Sequence, residues 1–237
     1  MMFSHPGFYG VVAESDGRII GSNCLDERSP IAGVGPITVE SGAQNIGVGR
    51  KLMDAVLARS TEREFTGIRL LQAAFHNRSL SLYTKLGFDA REPISTMQGP
   101  PIRKAMDGFN VRAALPSDLA ACNRLCRKVH GHDRSGELAD AIQQGTAKVV
   151  ERTARITGYT SSMAFFGHSV GSTVRDIQAL ISAADSFGGP GILVPTRNAA
   201  LFRWCLENGL RVQYPMTLMS VGMYQEPAGS FLPSVLY

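Results

Sequence analysis

No apolar run in the 237 residues approaches the roughly 20 that a membrane span needs. The opening MMFSHPGFYG lacks the basic and apolar regions of a signal peptide, so the expected compartment is the cytoplasm and no membrane partner is expected. The four cysteines, Cys24, Cys122, Cys126 and Cys205, form no Cys-x-x-Cys pair and have no zinc-ligand spacing with a histidine. They read as buried thiols of a reduced protein, and Cys122 and Cys126 could share one helix face. Lysine and arginine exceed the acidic residues by only four and are scattered, whereas a nucleic-acid surface needs a clustered basic stripe. A small anionic ligand suits this excess at least as well. What is present is ordinary globular material: 44% hydrophobic and 19% charged residues allow a sizeable core, in one large domain or two small ones.

The patterning is mixed α/β. Phe8 to Ala13 reads as a strand, Ser15-Asp16-Gly17 as a turn, and Arg18 to Leu25 as the second arm of a hairpin. Ile31 to Val39 reads as a third strand, loosened by Gly33, Gly35 and Pro36, where a bulge or a close backbone approach is expected. A helix follows from about Val48 to Arg59, with Val48, Leu52, Met53, Val56 and Leu57 on one face. Gly67 to Ala74 is a buried strand, Asn77 to Leu86 a short helix stopped by Gly87, and Phe88 to Met97 a final strand pair.

The chain also repeats itself. GFDAREPISTM, from Gly87, aligns without gaps with GLRVQYPMTLM, from Gly209, matching Pro93 to Pro215 and Met97 to Met219. Asn77 opens a helix after a strand, and Asn198 does so after GILVPTR, with a one-residue offset. Arg18-Ile19-Ile20-Gly21 echoes Arg155-Ile156-Thr157-Gly158. These features keep their order, so the chain reads as two copies of one fold, over 1–100 and 109–237. The Pro- and Gly-containing stretch Gln98 to Gly108 links them. The second copy is shorter around the strand-to-helix junction, but adds a leading strand and helices over Val111 to Gln144, the first starting near Ser117 as N-cap.

That junction, QNIGVGRK from Gln44 to Lys51, carries the chemistry. Two glycines at the start of a helix expose backbone N–H groups, which are unpaired there and favour an anion through the helix dipole. Missing side chains at Gly47 and Gly49 allow close approach, and Arg50 and Lys51 add positive charge. The stretch reads as a diphosphate cradle. It is not a Walker loop, for Gly-Lys-Ser/Thr is missing, nor a dinucleotide fingerprint, for the third glycine and the acidic residue are missing.

Together with NRSLSLYTKLGF, from Asn77 to Phe88, QNIGVG resembles the GNAT family of N-acetyltransferases. The resemblance covers roughly Phe8 to Met97, and the second copy resembles the same fold more loosely, so that the whole is similar to tandem GNAT proteins. It implies an α/β fold with a mixed sheet, acetyl-CoA as co-substrate and no metal. The implied diphosphate donors are the backbone amides of Ile46, Gly47, Val48, Gly49 and Arg50, in a loop that Gln44 opens and that includes Asn45 and Lys51. The strand around Ile37, Thr38 and Val39 would pair with the pantetheine arm, and Asn77 and Ser79 would line the cofactor. Tyr83 would be the general acid that protonates the departing thiolate, a role suited to a phenol with a reference pKa of about 10.

An amine acceptor must lose a proton, and Glu27 is the expected base, with Asp26, Glu40 and His76 as alternatives. His130, His132 and Asp133 have metal-like spacing but read as a polar loop. Ser161 or Ser162 with His168 lacks the surroundings of a nucleophile elbow. In the second copy FGHSVG, from Phe166 to Gly171, stands where a phosphate loop would be, and Trp204 or Cys205 takes the tyrosine position, so this copy is expected not to catalyse. The first copy also lacks the strand and two helices that the family places before the hairpin. An uncovered sheet edge invites pairing, so either the protein starts further upstream or the chain dimerises. The expected activity is acetyl transfer from acetyl-CoA to a primary amine of a small molecule or peptide. The alternative is a non-catalytic acyl-CoA-binding sensor or scaffold.

Overall fold

The computed structural model describes residues 2–236. β1 (Phe8–Ser15) and β2 (Arg18–Asp26) form the expected hairpin, with Asp16 and Gly17 both at positive φ in the turn. The third strand is not continuous. β3 (Ile31–Val34) ends at Gly35, and the chain resumes as β4 (Thr38–Val39), which pairs with β2. α1 (Val48–Glu62) follows, then β5 (Gly67–Ala73), α2 (Asn77–Lys85) and β6 (Asp89–Gln98). β6 is one long strand rather than the expected pair, because both halves find partners elsewhere in the chain. α1 and α2 lay Met53, Val56 and Tyr83 against Leu25, Ala32, Val34, Ile68 and Leu70 of the strands, and this buried apolar face is what holds the layer together.

Beyond the linker come β7 (Asn110–Ala113), α3 (Leu119–His130), α4 (Ser135–Gln143), β8 (Lys148–Arg152), β9 (Arg155–Thr160), β10 (Ser169–Gly171), α5 (Val174–Ser182), β11 (Ile192–Pro195), α6 (Ala199–Glu207), β12 (Arg211–Gly222) and β13 (Ser230–Leu232). Ser117 is not the N-cap of α3. It lies in a 3-10 turn, and the neighbouring Asp118 accepts from the Leu115 N–H at 2.8 Å and pairs with Arg112. Cys122 and Cys126 are both buried on α3, and all four cysteines are free thiols. Among the described residues no helix is long and apolar enough to cross a membrane.

The sheets do not divide where the linker does. One runs β1-β2-β3-β5-β12-β6-β11, with β4 beside β2, and the other runs β13-β10-β9-β8-β7. Each copy inserts its last long strand next to the other's: β12 lies between β5 and β6, and β6 lies between β12 and β11. The pairing is two-fold symmetric. Pro93 faces Thr217, Ile94 faces Met216, and Ser95 faces Pro215. Under the alignment of Pro93 with Pro215, the Ile94–Met216 pair sits on the pseudo-dyad. The flanking strands obey it too, since Met219 faces Leu70 while Met97 faces Ile192. This is the self-complementary contact of a two-fold dimer, built within one chain.

Candidate active site

β3 and β5 run parallel only from Ile31–Gly67 to Gly33–Arg69. Past that point β4 follows β2, while β5 continues along β12 to Ala73, so the strands part into a V. The expected looseness of Ile31 to Val39 is therefore this opening. α1 starts at the wide end of the V, on the face that also carries α2.

The QNIGVG loop is built for open backbone donors. Asn45 and Gly47 both have positive φ, at 69° and 91°, and Gly47 is the N-cap of α1. No side chain caps the helix, and Val48-Gly49-Arg50 brings no carboxylate to its first turn. The first intrahelical bond is Lys51 N–H to the Gly47 carbonyl at 3.1 Å, which leaves the preceding amides outside the helix ladder. Ile46 is 71% exposed, so the loop faces solvent rather than core. Arg50 and Lys51 are exposed as well, Arg50 at 3.7 Å from Asp54, a surface pair of little energetic weight. Gln44 closes a short 3-10 turn over Ser41–Ala43. These features fit a diphosphate, with the dipole, the donors and the added charge of one sign.

α2 lies across the V from this loop. A Cβ placed on Gly49 would stand 3.8 Å from both Leu82 of α2 and Val39 of β4, so the three elements converge there. His76 is the N-cap of α2, its ring accepting from the Ser79 N–H, and Asn77 is the first helical residue, its side chain exposed. The Ser79 hydroxyl is engaged locally, donating to the His76 carbonyl at 2.9 Å and accepting from Gln72 at 3.0 Å. Tyr83 is only 6% exposed and packs edge-on to Phe88. Burial pushes its hydroxyl up to about 12, so it keeps its proton throughout the neutral range.

The carboxylates are placed differently. Glu27 is gripped by Arg59, with contacts of 2.8 and 3.3 Å. Arg59 is ten residues along α1 from Gly49, about 15 Å of helix at 1.5 Å per residue. Glu27 is therefore held towards the far end of α1 from the loop. Asp26 is buried against Arg28, which also reaches Asp140 of the second copy at 2.8 Å. Glu40 is exposed and pairs with Arg18 at 3.2 Å. These ion pairs depend on residues 2 to 112 positions away, which the sequence pattern does not reveal.

The second copy has the same frame with its openings filled. Ser169–Gly171 of the FGHSVG stretch is strand β10, not a loop at a helix start, and only Ser172 and Thr173 separate it from α5. There Asp176, fully buried, accepts from the Thr173 N–H at 2.8 Å and from the Thr157 hydroxyl at 2.6 Å. A carboxylate of the protein's own therefore occupies the N-terminus that α1 leaves open. β13 pairs with β10 and lies against β11, in the place equivalent to the V. The tyrosine position resolves as Cys205: the Leu210 N–H bonds the Cys205 carbonyl as the Phe88 N–H bonds that of Tyr83. Sequence reading missed both fillings; the Thr-x-x-Asp spacing of Thr173 and Asp176 was the available signal.

A buried polar group lies within the second copy. The Glu137 carboxylate is held well below the usual carboxylate range by Arg134, against its burial, with Ser161 donating to it and His168 at 2.9 Å. Ser161 therefore faces a carboxylate rather than an activating imidazole. Burial keeps His130 well below its ordinary pKa and takes His132 down to about 3. Asp133 is engaged by Arg127 and Ser135, and among the described residues no group of three His, Cys, Asp or Glu side chains is arranged to hold a metal.

A parted mixed sheet with an uncapped helix start at its mouth offers open backbone donors to an anion. Residues 2–88 match the model of the acetyltransferase (GNAT) family. A sequence search finds no match among curated proteins. A proposed acetyltransferase from Pyrococcus horikoshii superposes with a TM-score of 0.75 at 18% identity, over 93% of this chain and 78% of that one. A GCN5-related N-acetyltransferase from Sphaerobacter thermophilus gives 0.56 at 14% identity, over 92% and 81%. A tandem GNAT protein from the clavulanic acid biosynthesis pathway gives 0.53 at 12% identity, over 92% and 84%. At such identities the likeness establishes the fold of the whole chain and leaves the chemistry to the site.

Proposed function

We propose that the first copy, residues 1–100, transfers an acetyl group from acetyl-CoA to a primary amine of a small molecule or peptide. The second copy, residues 109–237, is its non-catalytic partner. The observation that carries this reading is the open, acid-free N-terminus of α1 facing α2 across the parted strands. The amides of Ile46 to Arg50 would hold the diphosphate, Lys51 and Arg50 would add charge, and the free side of Ile37 to Val39 would take the pantetheine arm. Bound acetyl-CoA supplies the activated thioester. The amine attacks it directly, without an acyl-enzyme, and Tyr83 gives its proton to the leaving sulfur. Glu27, tied to Arg59, would serve as base only through intervening water, as would Asp26 or Glu40. The four free thiols support a reducing, cytoplasmic setting.

Calorimetric titration with acetyl-CoA tests the cradle: binding at one site per chain is expected, and a folded chain that binds none refutes it. One observation favours the non-catalytic scaffold instead, the near-complete burial of Tyr83. The two readings part on thiol release from the native chain, described below. β1 edges the larger sheet, with Val12 53% exposed, and pairing there would give a homodimer. Sedimentation at micromolar concentration reads this out, and a monomer refutes it.

A further inference from the structure

We infer that the second copy's C-terminal segment, Ser230–Leu236, forms a wall on the acceptor side of the first copy's cleft. The inference rests on the proposed acetyl-transfer reading of the first copy. The sheet has two faces at the V. Ile68 and Leu70 point to α1 and α2, while Arg69 and Leu71, alternating with them, point to the opposite face. A thioester lying along β4 from the α1 side is open to attack from that opposite face. The segment runs over it. After β13 it crosses from the second sheet, where the Val235 N–H bonds the Phe165 carbonyl at 2.9 Å, and Val235 packs in the cluster that includes Leu71. It then meets β3 at the point where β3 and β5 part. A Cβ on Gly33 would overlap the Leu236 carbonyl oxygen and lie 2.8 Å from its carbonyl carbon, so the two backbones touch with no room for a side chain. Gly33 is the last β3 residue paired with β5, and its φ is not among the positive ones, so the glycine answers the contact with Leu236 rather than a turn. Ser230 through Ser234 and Leu236 are all buried, as expected of a built wall rather than a loose end.

The test uses the sulfur of CoA as a ruler and needs no known acceptor. Leu236→Cys and, separately, Val235→Cys are incubated with CoA disulfide. The new thiolate attacks one sulfur of the reagent, a mixed disulfide forms, and the other CoA leaves as its thiolate. A segment at the apex of the V gives one CoA adduct per chain at one or both positions, suppressed by excess acetyl-CoA. The native chain, its cysteines buried, gives none. Gly33→Ala added to the reactive variant pushes the segment away and abolishes the adduct while CoA binding persists. Calorimetry of each variant with CoA runs alongside. Adduct at neither position, with CoA binding intact, overturns the wall. Absence of CoA binding to the native chain overturns the acetyl-transfer reading itself.

Discussion

Gly49→Ala separates the fold's demands from the ligand's. Gly49 is the second residue of α1 and has ordinary helical geometry, so alanine fits its backbone. Its methyl would stand 3.8 Å from Leu82 and Val39, an ordinary van der Waals contact with no clash. Replacing glycine by alanine in a helix interior stabilises by about 0.5–1 kcal/mol, and in the first turn about half of that is expected. For a chain of this size that is a rise of about 0.5–2 °C in Tm. The same methyl projects into the space between α1, β4 and α2 where the diphosphate would approach the helix amides. Losing one hydrogen bond to a charged group costs about 1.5–3 kcal/mol, roughly 10- to 150-fold in Kd. Thermal unfolding and calorimetric titration with acetyl-CoA on one preparation measure both. A variant that is as stable as the parent, or more so, but binds weakly cannot owe its defect to misfolding. Unchanged affinity would refute the cradle. Gly47→Ala is a poorer test, because a φ of 91° strains any other residue by about 1–2 kcal/mol and mixes the two effects.

Three further outcomes are expected. Tyr83→Phe leaves acetyl-CoA affinity within about twofold but lowers kcat by about 10²-fold or more, the usual scale of acid catalysis; equal turnover by stopped-flow thiol release would refute Tyr83 as the acid, and no thiol release from the native chain would favour the scaffold reading. Asp176→Ala removes the α5 cap and the partner of the half-buried Thr157 hydroxyl, costing about 1–3 kcal/mol in denaturant unfolding without adding a second acetyl-CoA site; unchanged stability would refute the self-capping account. Stability falls on acidification below about pH 6.5. His130 and His132 are neutral in the fold with pKa values below the unfolded value, so the unfolded chain takes up protons first. Each contributes up to about 1.4 kcal/mol per pH unit, from about pH 6.5 down towards the folded value, about 3 for His132. His132→Gln should flatten the profile, and a slope unaltered by that change would count against it.

Local signals carried the first copy well. The Asp16-Gly17 turn, the apolar face of α1 and the glycine that stops α2 are each decided within a few residues, and the structure agrees with all three. The start of α1 on Gly47, with no acidic residue in its first turn, was readable for the same reason. What was not legible depends on distant partners. Ile31 to Val39 is apolar enough for one strand, but β2 pairs with both of its halves while β5 pairs only with the first, and the break falls where β5 parts from it. β13 is three residues long, and its pairing with β10 reaches back about sixty positions.

The repeat shows most clearly why pairing escaped a sequence reading. The likeness of GFDAREPISTM to GLRVQYPMTLM betrayed the two copies, yet it hid their partnership, because two similar strands can pair with either sheet equally well by pattern. The structure resolves this through a symmetric register centred on Ile94 and Met216. About that axis the symmetry holds for the strands and fails at the two helix starts. α1 begins on glycines with its amides open, and α5 begins on Thr173 with Asp176 folded back over it. Packing requires that both copies keep the strand frame, since each lends a long strand to the central pair. Nothing in packing requires the helix starts to match. The second copy retains the frame, fills its own cleft with β13 and turns the rest of that segment towards Gly33.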